Sequence, residues 1–592
     1  MTDRSFAALA PRPSPSKTWL RAIESASKLT GDGGRTFGDL LDELATVHGD
    51  APALLSDDEH LTFEQLAARS RRYARWALGL GLGKGDVVAL LMPNRPDFFA
   101  LWVGISRTGA VVALINTNLR DAALAHCLDT VAPSHVIVDD SLAEALSGAE
   151  DHLTASPTHW RAGQIDLAAL DGGPFAAEAF DQVRQTDNAL FIFTSGTTGL
   201  PKAARISHGR IMSWIGWFAG LLDAGPADRL YNCLPMYHSI GGVTAIGAAL
   251  AGGASVLVRE RFSASAFWAD VVRWDCTLFQ YIGELCRYLL AAPAGDDDRR
   301  HRLRLICGNG LDAEVWTAFQ ARFAIPQVLE FYAATEGTFS LYNVEGQTGA
   351  IGRIPPFLAH RFTAALVRFD PETEQPMRGD DGRCIPCAVG EVGEAIGRVL
   401  LTSHAGASAF EGYTDRAATD RKLLRDVFDP GDAWFRSGDL MHKDAAGFFY
   451  FDDRIGDTFR WKGENVSTRA VHDVVIRCAG VIEAAVYGVK VPHADGRVGM
   501  AAVVVDDDFD LGSLAEMVRQ GLPSFARPMF VRLTDRLPLT ETFKLKKQVL
   551  VAEGFDIAVT DDPIHLLDPA QGAYRLLDAA LLAQIGAGIL RL

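Results

Sequence analysis

Leu190-Phe191-Ile192-Phe193-Thr194-Ser195-Gly196-Thr197-Thr198-Gly199-Leu200-Pro201-Lys202 is the stretch that decides the architecture. Its four apolar residues read as a buried strand, and the Ser/Thr/Gly run ends that strand abruptly. Two glycines let the backbone fold closely around an anion. The hydroxyls and exposed N–H groups donate to phosphate oxygens, and Lys202 adds a positive charge. A Walker loop would need a different glycine interval and a Lys-Ser/Thr pair. An ordinary turn after a strand is the plain alternative, but nine residues in this order favour phosphate binding.

Similar strand-like runs lie on either side: Val87–Met92, His135–Val138, Ala254–Val258 and Leu303–Cys307. Helix-like segments such as Phe63–Leu78 and Phe267–Trp274 alternate with them, which predicts α/β layers with largely parallel sheets. Phe448-Phe449-Tyr450-Phe451 runs into the polar break Asp452–Asp457, a candidate domain boundary. Beyond it, Val481–Val491, Ala501–Val505 and Phe530–Val531 predict strands of a smaller unit. Ile240–Val258 carries no charge and is long enough to span a bilayer. Gly252-Gly253 divides it, however, into a helix-like and a strand-like half, so a buried helix–turn–strand is expected. Gly79–Gly85 reads as the turn before the Val87 strand and not as a dinucleotide loop.

The chain has 592 residues, 48% of them hydrophobic and 22% charged, which excludes a disordered or fibrous protein. Its 57 basic and 74 acidic residues leave a net charge of −17, against a nucleic-acid partner for the whole protein. Eight cysteines are too few for a disulfide scaffold and fit a reducing compartment. Cys384-Ile385-Pro386-Cys387 has no second pair and reads as incidental rather than as zinc ligands. Met1–Pro15 lacks the apolar core of a secretory signal.

Further segments follow the Thr194–Lys202 loop in order: Phe331–Gly337 (FYAATEG), Phe435–Asp439 (FRSGD), Arg454 through Asn465, and Leu537–Lys544 (LPLTETFK). With the loop they resemble the five signatures of the adenylate-forming superfamily, in the superfamily's order. Tyr281–Leu290, Trp461–Thr468, Thr542–Lys544 and the end of the chain from Asp562 to Leu592 are similar to its fatty acid transport protein and very-long-chain acyl-CoA synthetase branch. The resemblance implies a large α/β N-terminal domain, residues 36–454, after a tail of residues 1–35. A smaller, mobile α+β domain, residues 455–592, follows. It also implies that a carboxylic acid and ATP form acyl-AMP and pyrophosphate, and that coenzyme A then takes the acyl group.

On this resemblance Thr194, Ser195, Gly196, Thr197, Thr198, Gly199 and Lys202 hold the β- and γ-phosphates, Thr335 belongs to the ATP/AMP site, and Glu336 beside it binds Mg²⁺. Tyr332 stacks on adenine, Glu330 accepts from its amino group, and Gly308-Asn309-Gly310 forms the opposite wall. Asp439 and Arg454 bind the ribose. Lys544 is the mobile catalytic lysine, Gly456 and Asp457 form the hinge, and Gly463 lines the coenzyme A tunnel. His238 orients the carboxylate, with Tyr237, Tyr281 and Gly283 lining the acyl pocket.

The expected activity is therefore an AMP-forming fatty acid–coenzyme A ligase for long or very long chains. A ligase for a steroid side chain or another bulky apolar acid, transfer to a carrier protein, and a fatty-acid binding or uptake protein stay open. The implied location is cytoplasmic, with peripheral attachment to the inner face of the cell membrane and homodimer formation left open. Lys544→Ala is expected to abolish adenylation while coenzyme A transfer from supplied acyl-AMP survives. Assaying the half-reactions separately checks this, and equal loss of both counts against a lysine that serves one step.

Overall fold

The computed structural model describes residues 14–31, 35–176, 179–180, 182–195, 201–370, 373–399, 410–461, 464–494, 496–539, 545–568 and 571–590. They form two compact units. One comprises the described parts of 1–363, 397–425 and 433–435; the other comprises those of 364–396, 426–432 and 436–592. The polar break at 452–457 falls inside the second unit, at the turn after the strand Phe448–Arg454.

Two sheets organise the first unit. The first orders Thr158–Arg161, His135–Val138, Val87–Leu91, Val111–Leu114, Asn188–Ser195 and Pro201–Ser207. All neighbours are parallel except the last pair. The second orders Ser340–Tyr342, Val328–Ala333, Leu305–Asn309, Leu278–Ile282, Arg229–Asn232, Ser255–Val258, Pro52–Leu55 and His60–Thr62. It too is parallel except at its two outermost strands. Parallel strands are covered on both faces, which is why Val88-Ala89-Leu90-Leu91 and Ser255–Val258 are buried throughout.

The expected helices appear as Phe63–Gly79, opened by a Thr62/Gln65 capping box, and Phe267–Arg273. The strand expected from Leu303 starts instead at Leu305. Arg304 just before it still donates its N–H to Thr277 O at 2.8 Å, and its Nε and Nη2 lie 2.9 and 2.8 Å from the Asp228 carboxylate. The uncharged stretch 240–258 resolves into a π-helical turn Ile240–Thr244, a helix Ala245–Ala251 and the strand Ser255–Val258. Among the described residues no helix is long and apolar enough to cross a membrane.

Residues 15–30, expected within a tail, form the helix Pro15–Thr30, started by Ser14 as N-cap. It lies on the helix His208–Leu222 so closely that Gly216 and Gly220 have no room for a side chain. A Cβ on Gly220 would stand 2.5 Å from Ala22 Cα. Trp19 meets Trp217, Tyr342 and Phe362 edge-on, and Arg21 Nε donates to the Gly220 carbonyl at 2.6 Å. Burying Trp19, Ala22, Ala26 and Leu29 makes this helix part of the core.

In the second unit the sheet Val481–Val489, Val498–Val505, Phe530–Leu533, Ile564–Asp568, Ala573–Leu576 has its own apolar core. Arg532 clasps the C-terminal residues to it. Its guanidinium reaches Glu553 at 2.5 Å, Asp562 at 2.7 Å and Thr560 at 2.9 Å.

Gly220→Leu would push the Pro15–Thr30 helix off its neighbour and is expected to cost about 1–3 kcal/mol. The thermal midpoint should fall, while Val47→Ala at a position 73% exposed should leave it unchanged.

Candidate nucleotide and acyl site

The phosphate-loop stretch closes a hairpin. Asn188–Ser195 and Pro201–Ser207 run antiparallel, with Thr194 opposite Lys202 and Ser195 opposite Pro201 at its mouth. Gly196, Thr197, Thr198 and Gly199 lie outside the described residues, as does the Ser195 side chain. A third segment lies along the free edge of Pro201–Ser207. Arg205 N–H donates to Gly412 O and Thr414 N–H to Ala203 O, both at 3.1 Å, and Ala204 bridges Tyr413.

Tyr413 brings the two segments to a third, the turn after the strand Val328–Ala333. Its hydroxyl donates to Glu336 Oε1 at 2.6 Å and is hydrogen-bonded by the Thr194 side chain. Burial and the Glu336 carboxylate push its ionisation far above the ordinary phenol range. Lys202 Nζ stands 5.9 Å from the centre of the same ring. Partial burial and then the like charges of Arg421 and Lys422 hold the Lys202 ammonium below the usual lysine range. Neighbouring cations at the mouth of a Ser/Thr/Gly hairpin suit a polyanion.

Beneath this turn lies Arg210, which is fully buried. It opens the helix His208–Leu222, donates to the Gly337 carbonyl and stacks over Trp214 at 5.3 Å. Burial lowers its pKa, against the opposing charges of Glu411 and Glu336. Glu411 in turn accepts from Ser207 N–H at 2.7 Å and Ser207 Oγ at 2.6 Å. Tyr413, Arg210 and Glu411 are missed by sequence reasoning. The Phe410-Glu411-Gly412-Tyr413 segment, with a glycine at φ +75°, marks the place of Glu411 and Tyr413.

Thr335 Oγ1 lies 3.1 Å from Ser239 Oγ, which joins the Thr-Glu segment to the segment carrying Tyr237 and His238. That segment is held rigidly. Asn94 Nδ2 donates to Leu234 O at 2.9 Å and to Arg259 O at 3.0 Å, while its Oδ1 accepts from Met236 N–H at 2.7 Å. Trp102 Nε1 and Asn232 Nδ2 hold the carbonyls of Gly242 and Gly241 at 3.2 and 2.9 Å. The π-helical turn follows directly; such turns recur at functional sites. Asn94 is a further residue that the sequence did not single out.

Gly308, Asn309 and Gly310 end the strand Leu305–Asn309 beside Tyr281, and a Cβ on Gly308 would overlap the Tyr281 ring. Gly283 faces the Gly310 carbonyl with no space between them. Glu330, expected to meet an adenine amino group, is 1% exposed. Its Oε2 accepts from Tyr281 at 2.5 Å and its Oε1 from Leu311 N–H at 3.1 Å. Tyr281 is likewise wholly buried, its hydroxyl pushed up by burial and by Glu330. The structure thus joins these two residues behind the glycine wall. Tyr332 is partly exposed and lies 5.6 Å from Phe339, ring to ring.

In the second unit Asp439 stands opposite Arg454 on paired antiparallel strands, Oδ1 3.3 Å from Nε. Asp439 is 8% exposed, whereas the Arg454 side chain is half exposed. Gly456 follows at φ +90° with open space where a Cβ would be. Asp457 pairs with Lys547 at 3.1 Å, and Lys547 donates to Thr468 at 2.8 Å. Lys544 and Gly463 lie outside the described residues. Cys384 and Cys387 carry free thiols, Cys384 buried.

Comparisons with known proteins give the family and the fold. The AMP-binding enzyme family matches residues 41–395, and the AMP-binding enzyme C-terminal domain matches residues 470–544. Long-chain fatty acid transport protein 1 of Mus musculus is 41% identical over 542 residues, 89% of this chain and 83% of its own. Long-chain fatty acid transport protein 3 of Homo sapiens is 40% identical over 86% of this chain and 76% of its own. Among solved structures, a Mycobacterium tuberculosis fatty acyl CoA synthetase superposes with a TM-score of 0.62 at 25% identity, covering 88% of this chain and 98% of its own. An anthranilate CoA ligase in complex with anthranoyl-AMP shares the fold, with a TM-score of 0.73 at 20% identity over 88% of this chain and 97% of its own.

Asn94→Ala leaves one buried N–H and two carbonyls without their partner and is expected to destabilise the protein by about 2–3 kcal/mol. A fall in the thermal midpoint checks this, and an unchanged midpoint would show that the 234–236 segment stands without it.

Proposed function

The chain belongs to the AMP-binding enzyme family, with the long-chain fatty acid transport proteins among its relatives, and from this we propose an acid–thiol ligase for long-chain fatty acids. It joins a fatty acid to coenzyme A through acyl-AMP and releases AMP and pyrophosphate. One observation carries the reading: a cation, a hydroxyl and a carboxylate, Lys202, Thr194 and Glu336, converge around Tyr413 at the mouth of the phosphate hairpin.

Adenylation brings a carboxylate to a polyanion, so the protein must offset that repulsion before the acid attacks the α-phosphate. Lys202 and the hairpin hydroxyls draw the β- and γ-phosphates away from the reacting carboxylate. Glu336 and the phosphate oxygens suit Mg²⁺, a hard cation held by one or two carboxylates plus substrate phosphates. When bound, Mg²⁺ neutralises charge on the phosphates.

His238, on its braced segment, orients the acid, and the chain of the acid runs past Tyr237 toward the glycine-rich 240–250 turn. Tyr332 takes the adenine face, and Asp439 and Arg454 take the ribose hydroxyls. Residues 455–592 move between the half-reactions, carrying Lys544 away and bringing Gly463 to the thiol's path. Gly456 is the pivot of this motion: its left-handed backbone and empty surroundings permit rotation, whereas Asp457 is tied by Lys547. The described cysteines are all free thiols, in keeping with a reducing cytoplasm. A fatty acid partitions into bilayers, so the protein meets its substrate at the membrane as a peripheral protein.

Product formation with ATP, Mg²⁺ and coenzyme A across acids from short to very long, plus a steroid acid, tests the reading. AMP release and acyl-CoA mass are expected to rise together with chain length. A response to the steroid acid alone replaces the substrate; adenylate without acyl-CoA points to a carrier protein; no turnover leaves a binding protein.

A further inference from the structure

The contacts of one side chain outside every motif go beyond the roles above. Tyr413 is 6% exposed and comes from a segment remote in sequence from both the hairpin and the Thr-Glu turn. Three hydrogen bonds fix its backbone and that of its neighbours. Two run to the strand Pro201–Ser207, and in the third Tyr413 N–H donates to Thr419 Oγ1 at 3.0 Å. Its hydroxyl donates to Glu336 at 2.6 Å and its ring lies 5.9 Å from Lys202 Nζ. Lys202 and Glu336 carry opposite charges close enough to influence one another.

We propose that Tyr413 is the positioning residue of the phosphate and cation site, holding Glu336 by its hydroxyl while its ring keeps Lys202 apart from that carboxylate. A direct Lys202–Glu336 pair would cancel the ammonium meant for phosphate and the carboxylate meant for the metal. A hydroxyl–carboxylate bond is charge-assisted and therefore strong and directional, so it selects one rotamer of a long, flexible side chain. The aromatic face attracts the ammonium without neutralising it. Both charges thus stay available to an arriving nucleotide. Thr194, bonded to the same phenol oxygen, puts the hairpin mouth in register with them.

The inference rests on the nucleotide reading above and deepens it. Its test is calorimetric binding of ATP with and without Mg²⁺, a readout independent of turnover. Tyr413→Phe keeps the ring and loses the hydroxyl, so the gain in ATP affinity conferred by Mg²⁺ should fall about tenfold or more, the measure of one charge-assisted bond. In a Glu336→Gln background the same change should add little, because Tyr413 acts through that carboxylate. Thr419→Val, which loosens Tyr413 from behind, should shift the gain in the same direction by less, and it decides the matter if Tyr413→Phe does not fold. An unchanged Mg²⁺-linked gain, or losses that simply add in the double variant, overturns the proposal while leaving the nucleotide site standing. A native chain that binds no ATP overturns both.

Discussion

One antiparallel pairing at the edge of an otherwise parallel sheet governs the site. Thr194 lies opposite Lys202 because Asn188–Ser195 turns straight back on itself as Pro201–Ser207. A parallel continuation would need a crossover of a dozen residues or more and would separate Lys202 from Thr194. The reversal leaves Pro201–Ser207 with a free edge, and the 410–414 segment takes that edge with backbone hydrogen bonds. An exposed strand edge is thereby satisfied, and a tyrosine is delivered to the mouth of the loop.

Charge burial below that hairpin is tolerated only because each group is answered. Arg210 loses its hydration entirely, and the Gly337 carbonyl, the Trp214 face and the field of Glu411 and Glu336 stand in for water. Glu330 is as deeply buried and is matched by a phenol and a backbone amide. These contacts stiffen the two strand ends from which the Thr-Glu turn and the glycine wall emerge. Gly456, in the second unit, has by contrast a left-handed backbone and open space where a Cβ would stand.

The strands Val87–Leu91, His135–Val138 and Asn188–Ser195 were legible because the buried stretch of a strand covered on both faces is apolar. The 240–258 stretch was legible as a non-membrane element through Gly252-Gly253, although the π-helical turn within it was not. That turn arises from Asn94, Trp102 and Asn232, three side chains from three other elements that capture its carbonyls or the segment before it. The Pro15–Thr30 helix was hidden for a related reason. Its docking depends on two glycines some 200 residues away, which look unremarkable within the apolar run His208–Leu222.

Sequence alone determined the α/β layering, because local composition dictates strand burial. It also carried the family, through motifs in the family's order along the chain. What it left open was which residues meet. Glu330 joins Tyr281 behind the wall instead of presenting an open carboxylate, and Glu336 joins Tyr413. Hydrogen bonds between segments 49 and 77 residues apart depend on how sheets and turns are stacked, and no local pattern along the chain encodes that distance. Tertiary structure decided those pairings.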